Sequence, residues 1–163
     1  MPRQKFSPAG RVRWARLSKG PAFADKEFRS SGARRAGMLY ERGMHIEFSR
    51  RFDGRYCPGP WIEFEGDNGF KYCQPDGLLL DWEEGRILIV EFKLKNTEYM
   101  CFQLRDLYMP VVRALLPEFE VSGVAICKNY DCGIQTASPM PLVRTLEEAA
   151  RRKLSTIKWN LKL

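Results

Sequence analysis

With 163 residues and 44% hydrophobic content, the chain is long enough to bury one core and too apolar to be a disordered polymer. Five cysteines, an odd number without a Cys-x-x-Cys pair, argue against a disulfide framework or a zinc site, and no apolar run approaches the roughly 18 residues of a bilayer span. The net charge of +7 is unevenly spread: residues 1–36 hold ten basic and two acidic side chains, the rest 17 and 18. A positive arm on a near-neutral body suits a phosphate backbone, whose attraction is long-ranged and sequence-independent. A solvated tail is the alternative reading. The first residues carry charge with no apolar stretch behind them, so the expected location is cytoplasmic, with no membrane contact.

Residues 1–32 mix Pro, Gly, Ser and Arg and read as a basic, loop-rich arm, with one helical turn at Val12–Leu17. A helix is expected over 33–49, capped by Ser31, with Tyr40, Met44 and Phe48 at helical spacing and Glu41 on the same inward side. Gly54, Pro58, Gly59 and Pro60 make 53–60 a connection. Trp61–Glu65 alternates like a strand, Gly66-Asp67-Asn68-Gly69 is a turn, and a second strand runs from Phe70 to Asp81. After a turn at Trp82–Gly85, Arg86–Leu94 is a third strand; its run Ile87-Leu88-Ile89-Val90 is apolar on both faces, as in a covered central strand. Thr97 caps a helix from Glu98 that Pro110 kinks or restarts before Leu116. Val121–Cys127 is a fourth strand, 128–141 a loop, and Leu142–Ile157 an amphipathic helix. The fold class is α/β, a mixed sheet flanked by helices, and residues 33–163 form one domain that includes the C-terminal helix.

Chemistry gathers on two of these strands. Alternation puts Glu91 and Lys93 on one face with Ile87 and Ile89, a poor place for charge unless it serves a purpose. Asp76 and Glu91 lie equidistant from the centre of the 82–85 turn. Antiparallel pairing therefore makes them cross-strand neighbours, with Cβ atoms roughly 5 Å apart. Two carboxylates so placed repel unless a cation lies between them, and Mg²⁺ commonly takes one or two carboxylates plus water and substrate phosphate.

Pro75-Asp76 followed by Glu91-Phe92-Lys93, with a preceding helix bearing Glu41 and a following one bearing Gln103, resembles the PD-(D/E)xK nuclease superfamily over about residues 33–127. The resemblance implies a restriction-endonuclease-like α-β-β-β-α-β core. It further implies that Asp76, Glu91, the Phe92 backbone carbonyl and Glu41 hold Mg²⁺ or Mn²⁺. Lys93 would position or activate water, and Gln103 would support the site. Some exonucleases of the superfamily carry Gln and Tyr four apart on this helix, whereas Gln103 and Tyr108 are five apart. The implied activity is DNA endonuclease on branched or processed DNA, in recombination, repair or phage genome processing. A homodimer is then expected, since two cuts need two sites. An exonuclease, an RNA endonuclease and a catalytically silent nucleic-acid-binding module are the alternatives. Arg11, Arg13, Arg16, Lys19, Arg34 and Arg35 are the candidate phosphate contacts. His45, the single histidine, lies one turn after Glu41 and is read as a helix histidine outside the site.

Overall fold

The computed structural model describes residues 7–21, 32–95, 98–129 and 142–158. The expected caps Ser31 and Thr97, the 130–141 segment and the Arg34 side chain lie outside them. The protein is mixed α/β with two sheets. The larger sheet has five strands: β2 (Tyr56–Pro58), β5 (Gly77–Asp81), β6 (Arg86–Lys95), β7 (Glu120–Asn129) and β8 (Leu154–Lys158), in that spatial order. Its β2–β5 and β5–β6 pairs are antiparallel, its β6–β7 and β7–β8 pairs parallel. The smaller sheet is antiparallel and has three strands in the order β1 (Trp14–Ser18), β3 (Trp61–Gly66), β4 (Gly69–Cys73).

The central strand β6 shows why the larger sheet sits where it does. Ile87 and Ile89 enter one hydrophobic cluster, which includes Leu104, Val111 and Val112 from the helical segment that follows β6. Leu88, Val90 and Phe92 enter a second, with Tyr40, Met44 and Phe48 of helix α1 (Gly32–Arg51) and Leu146 and Ala149 of helix α4 (Leu142–Arg151). A strand apolar over the run Ile87–Val90 and again at Phe92 is covered on both faces, as expected of a central strand. The inward stripe of α1 is Tyr40-Met44-Phe48, at one-turn spacing. Glu41 lies on the rim of that stripe with its side chain 39% exposed, rather than within it as expected.

Four sequence expectations are corrected. The Val12–Leu17 turn is not helical: Trp14–Ser18 is a strand that pairs with β3, Trp14 opposite Glu65 and Ser18 opposite Trp61. The strand expected from Phe70 to Asp81 is two strands in different sheets, divided at Gln74–Asp76. Pro75 has no N–H to give a ladder, so the chain leaves one sheet there and enters the other. The connection at 53–60 contains the short edge strand β2, which pairs through Tyr56, Cys57 and Pro58 with Leu79, Leu78 and Gly77. Helix α4 ends at Arg151, and the rest of the expected helix is strand β8 beside β7. There Thr156 and Ile157 are β-branched, and Ile157 is buried from the strand rather than from a helix face.

The segment after β6 is continuous but not uniform. Helix α2 (Glu98–Gln103) passes through a wider π-helical turn at Leu104–Tyr108 into helix α3 (Met109–Leu115), with Pro110 at its first positions, where a missing N–H costs least. Residues 7–21 are docked rather than loose. The Ala9 N–H donates to the Asp106 carbonyl (2.9 Å), the Asp67 N–H donates to the Ala9 carbonyl (3.1 Å), and Ala9 is buried. Gly66 allows this approach, because a Cβ there would overlap the Ala9 carbonyl oxygen.

Candidate active site

The register around the 82–85 turn sets the geometry. Gly77 pairs with Val90 and Asp81 with Arg86, so Asp76 and Glu91 meet one step beyond the last ladder pair. Each carboxylate takes a backbone N–H next to the other: Asp76 N–H donates to Glu91 Oε1 at 3.0 Å, and Phe92 N–H donates to Asp76 Oδ2 at 2.7 Å. Lys93, two residues on and on the same face, brings Nζ within 3.7 Å of Glu91 Oε2. The Glu91 side chain is 2% exposed and that of Lys93 43%, so a buried acid opens outward onto a wetter ammonium.

Electrostatics follow from this burial. Desolvation, then the charges of Glu41 and of Asp76 respectively, raise Asp76 to about 6 and Glu91 well above the ordinary carboxyl range; Lys93 and the backbone donors only partly oppose them. Lys93 loses stability as a cation through desolvation, but Glu91, Asp76 and Glu41 outweigh this and raise it, so it stays charged. Glu41 moves the other way: His45, with Nε2 at 3.6 Å from Glu41 Oε1, lowers it despite partial burial. Among the described residues, no three His, Cys, Asp or Glu side chains stand in an arrangement that already grips a metal ion. The cluster is instead three carboxyl groups against one ammonium, with negative charge left over.

Several neighbours were not read as site residues from sequence. His45 also meets Tyr56: Nδ1 and the hydroxyl are 2.6 Å apart, and the ring lies edge-on to Phe92 at 5.4 Å between centroids. Tyr56 is raised by burial and then by the Asp76 charge, so it stays a neutral phenol. Gly77 makes room for it, since a Cβ there would strike the Tyr56 ring and hydroxyl. On the other side, Gln103 Nε2 donates to the Tyr108 hydroxyl (2.8 Å), which donates to the Gln74 carbonyl (3.2 Å). The π-helical turn between Gln103 and Tyr108 aligns residues five apart, so this pair meets despite the extra residue. Tyr108 is raised by burial and then by Glu91 and Asp76, which puts it in the field of the carboxylates.

The basic candidates divide. Arg13 pairs with Glu65 (3.2 Å) and Arg16 with Glu63 (2.6 Å), both acids of β3. Arg11, Lys19 and Arg35 are exposed. Arg13 and Arg16 thus spend their charge on their own sheet. No helix among the described residues is long and apolar enough to cross a membrane. Comparison with protein-family models, with curated proteins and with solved structures gives no match.

Proposed function

We propose that the protein is a metal-dependent phosphodiesterase that cuts DNA as an endonuclease, on a restriction-endonuclease-like core in which α1, the β-strands, the α2–α3 segment and β7 are the common elements. The single observation that carries this reading is the Asp76–Glu91 pair, a half-buried and a buried carboxyl held together through the Phe92 and Asp76 backbone N–H groups beside the Lys93 ammonium. Uncompensated buried charge of this kind is costly in a purely structural role. The oxygen-only donor set and the surplus negative charge fit a hard divalent cation such as Mg²⁺ or Mn²⁺. Asp76 and Glu91 would hold it, with Glu41 at the rim and the Phe92 carbonyl as further donors.

A bound cation would supply Lewis acidity at a phosphoryl oxygen and lower the pKa of a water. Lys93, kept protonated by three carboxylates, serves as a donor to the scissile phosphate rather than as a general base. Glu41, held ionised by His45, can accept a proton or complete the cation's charge balance. Tyr56 and Tyr108 remain neutral and orient their partners on either side. The exposed Arg11, Lys19 and Arg35 add long-range attraction for the backbone. A homodimer would bring two sites to two strands.

The test is purified protein with Mg²⁺ or Mn²⁺ on linear, circular, branched and single-stranded DNA, with RNA alongside. Asp76→Ala is expected to abolish cleavage while leaving binding nearly unchanged. Cleavage by the variant, or none by the native chain with either metal, sinks the reading. Cleavage confined to ends or to RNA moves it to an exonuclease or an RNA endonuclease.

A further inference from the structure

The three-stranded sheet carries an aromatic face that the site itself does not use. Phe70 and Tyr72 alternate onto one side of β4, and the register sets Glu65 and Glu63 of β3 opposite them, with Trp14 and Arg16 of β1 opposite those in turn. Phe70 is 67% exposed and Tyr72 42%, large for aromatic side chains on a folded sheet. Trp14 lies 5.6 Å from Phe70 between ring centroids, and the Arg16 guanidinium sits over the Trp14 ring at 5.5 Å. The two acids on this face are already spent on Arg13, Arg16 and the Trp14 indole N–H.

This face borders a cleft of about 530 Å³ that passes the outer edge strand β4 and ends at Gln74, Gln103 and Tyr108. Asp76 and Glu91 do not line this cleft themselves, but Gln74 lies two residues before Asp76, and the Tyr108 hydroxyl that donates to the Gln74 carbonyl sits in the field of both carboxylates. Among the described residues that line it, Lys71 is the one charged side chain and no acid is present. Exposed rings on a sheet, Arg16 on the same face, Lys71 across the β4 edge and a polar end beside Gln74 form the pattern of single-strand recognition. Bases stack on rings while the backbone follows positive charge. A rigid duplex hides its base faces and gains nothing from such rings.

We propose that the Phe70–Tyr72 face and its cleft bind a single-stranded stretch of nucleic acid and feed it toward Asp76 and Glu91. This rests on the nuclease reading for its purpose, though not for its measurement. Stacking does not distinguish DNA from RNA, so both are assayed. The probes are a labelled dT strand of about 12 nucleotides, its RNA counterpart and a duplex of equal length, titrated with the full chain in EDTA, where no cleavage occurs. Phe70→Ala and Tyr72→Ala are each expected to weaken single-strand binding about tenfold and to leave duplex binding within about twofold. Tyr72→Phe keeps the ring and is expected to retain affinity, and Lys71→Gln is expected to reduce the salt dependence by roughly one phosphate contact. Unchanged single-strand affinity in both alanine variants overturns the proposal, as does an equal loss on duplex. Self-association that Phe70→Ala abolishes, with nucleic-acid affinity unchanged, overturns it in favour of a protein contact. Metal-dependent duplex cleavage without single-strand binding sinks this proposal alone; the expected binding losses without cleavage in any metal support this surface and sink the nuclease reading.

Discussion

Replacing Asp76 by Asn tests the central electrostatic claim without any substrate. Asn has nearly the same shape and keeps an oxygen to accept the Phe92 N–H. Burial, and then Glu41, push Asp76 up to about 6. Against an ordinary carboxyl near 4, that difference costs about 3 kcal/mol of folding stability at pH 8. The sign follows from proton binding. The folded state holds this proton more tightly than the unfolded chain, so stability rises as pH falls from above 6 toward 4 and the cost is gone below 4. In EDTA at pH 8, Asp76→Asn is therefore expected to raise stability by up to about 3 kcal/mol, or about 6–12 °C in melting temperature for a chain of this size. At pH 4 the two proteins converge. With Mn²⁺ at about 100 times its dissociation constant, the native chain is expected to recover about 2.7 kcal/mol, and the variant far less. Urea unfolding followed by fluorescence at both pH values, with and without metal, measures all of this. A variant less stable than the native protein in EDTA at pH 8 would refute the reasoning, because Asp76 would then be a satisfied structural residue.

Gly77→Ala pushes the Tyr56 ring off its place and with it the hydroxyl that meets His45, so it should cost about 1–3 kcal/mol and lower cleavage as well, read by melting and by the metal-dependent assay. Removing residues 1–21 takes away β1 and the buried Ala9; the expectation is a loss of about 3 kcal/mol or more and aggregation through the newly bared β3 edge, seen in unfolding and light scattering. An unchanged melting temperature would make this segment a passive tail. Deleting Arg105, exposed within the π-helical turn, leaves Gln and Tyr four apart in an ordinary α-helix, so melting should fall less than on deleting Arg113 from α3.

The meeting of the candidate carboxylates was more legible in the sequence than the sheet that surrounds them. The Asp76–Glu91 meeting could be read from the position of the 82–85 turn because antiparallel pairing is local and its arithmetic is simple. The apolar run Ile87–Val90 likewise announced a strand covered on both faces. What escaped were pairings settled by distant partners. Trp14–Ser18 becomes a strand because β3 is there to receive it, and Leu154–Lys158 because β7 offers an edge. Apolar spacing from Leu146 to Ile157 fits a helix throughout, and only the β-branched Thr156-Ile157 pair hinted otherwise. The split at Pro75 was visible as a proline, but that the two halves join different sheets depends on the three-dimensional surroundings. Tyr56 and Tyr108 carry no mark in sequence, since a phenol becomes part of a site through what it touches.

Gln74, Pro75 and Asp76 are one of two short links between the sheets; Gly59 and Pro60, between β2 and β3, are the other, and the Gly59 N–H donates to the Asp76 carbonyl at 2.7 Å. A load on the aromatic sheet reaches one carboxylate through three residues of backbone, with a proline ring stiffening the middle. Any tilt of the smaller sheet against the larger would therefore bear on the two hydrogen bonds that hold Asp76 to β6. The strand that carries the exposed rings and the acid that meets Glu91 are thus separated by only a few residues of tied backbone.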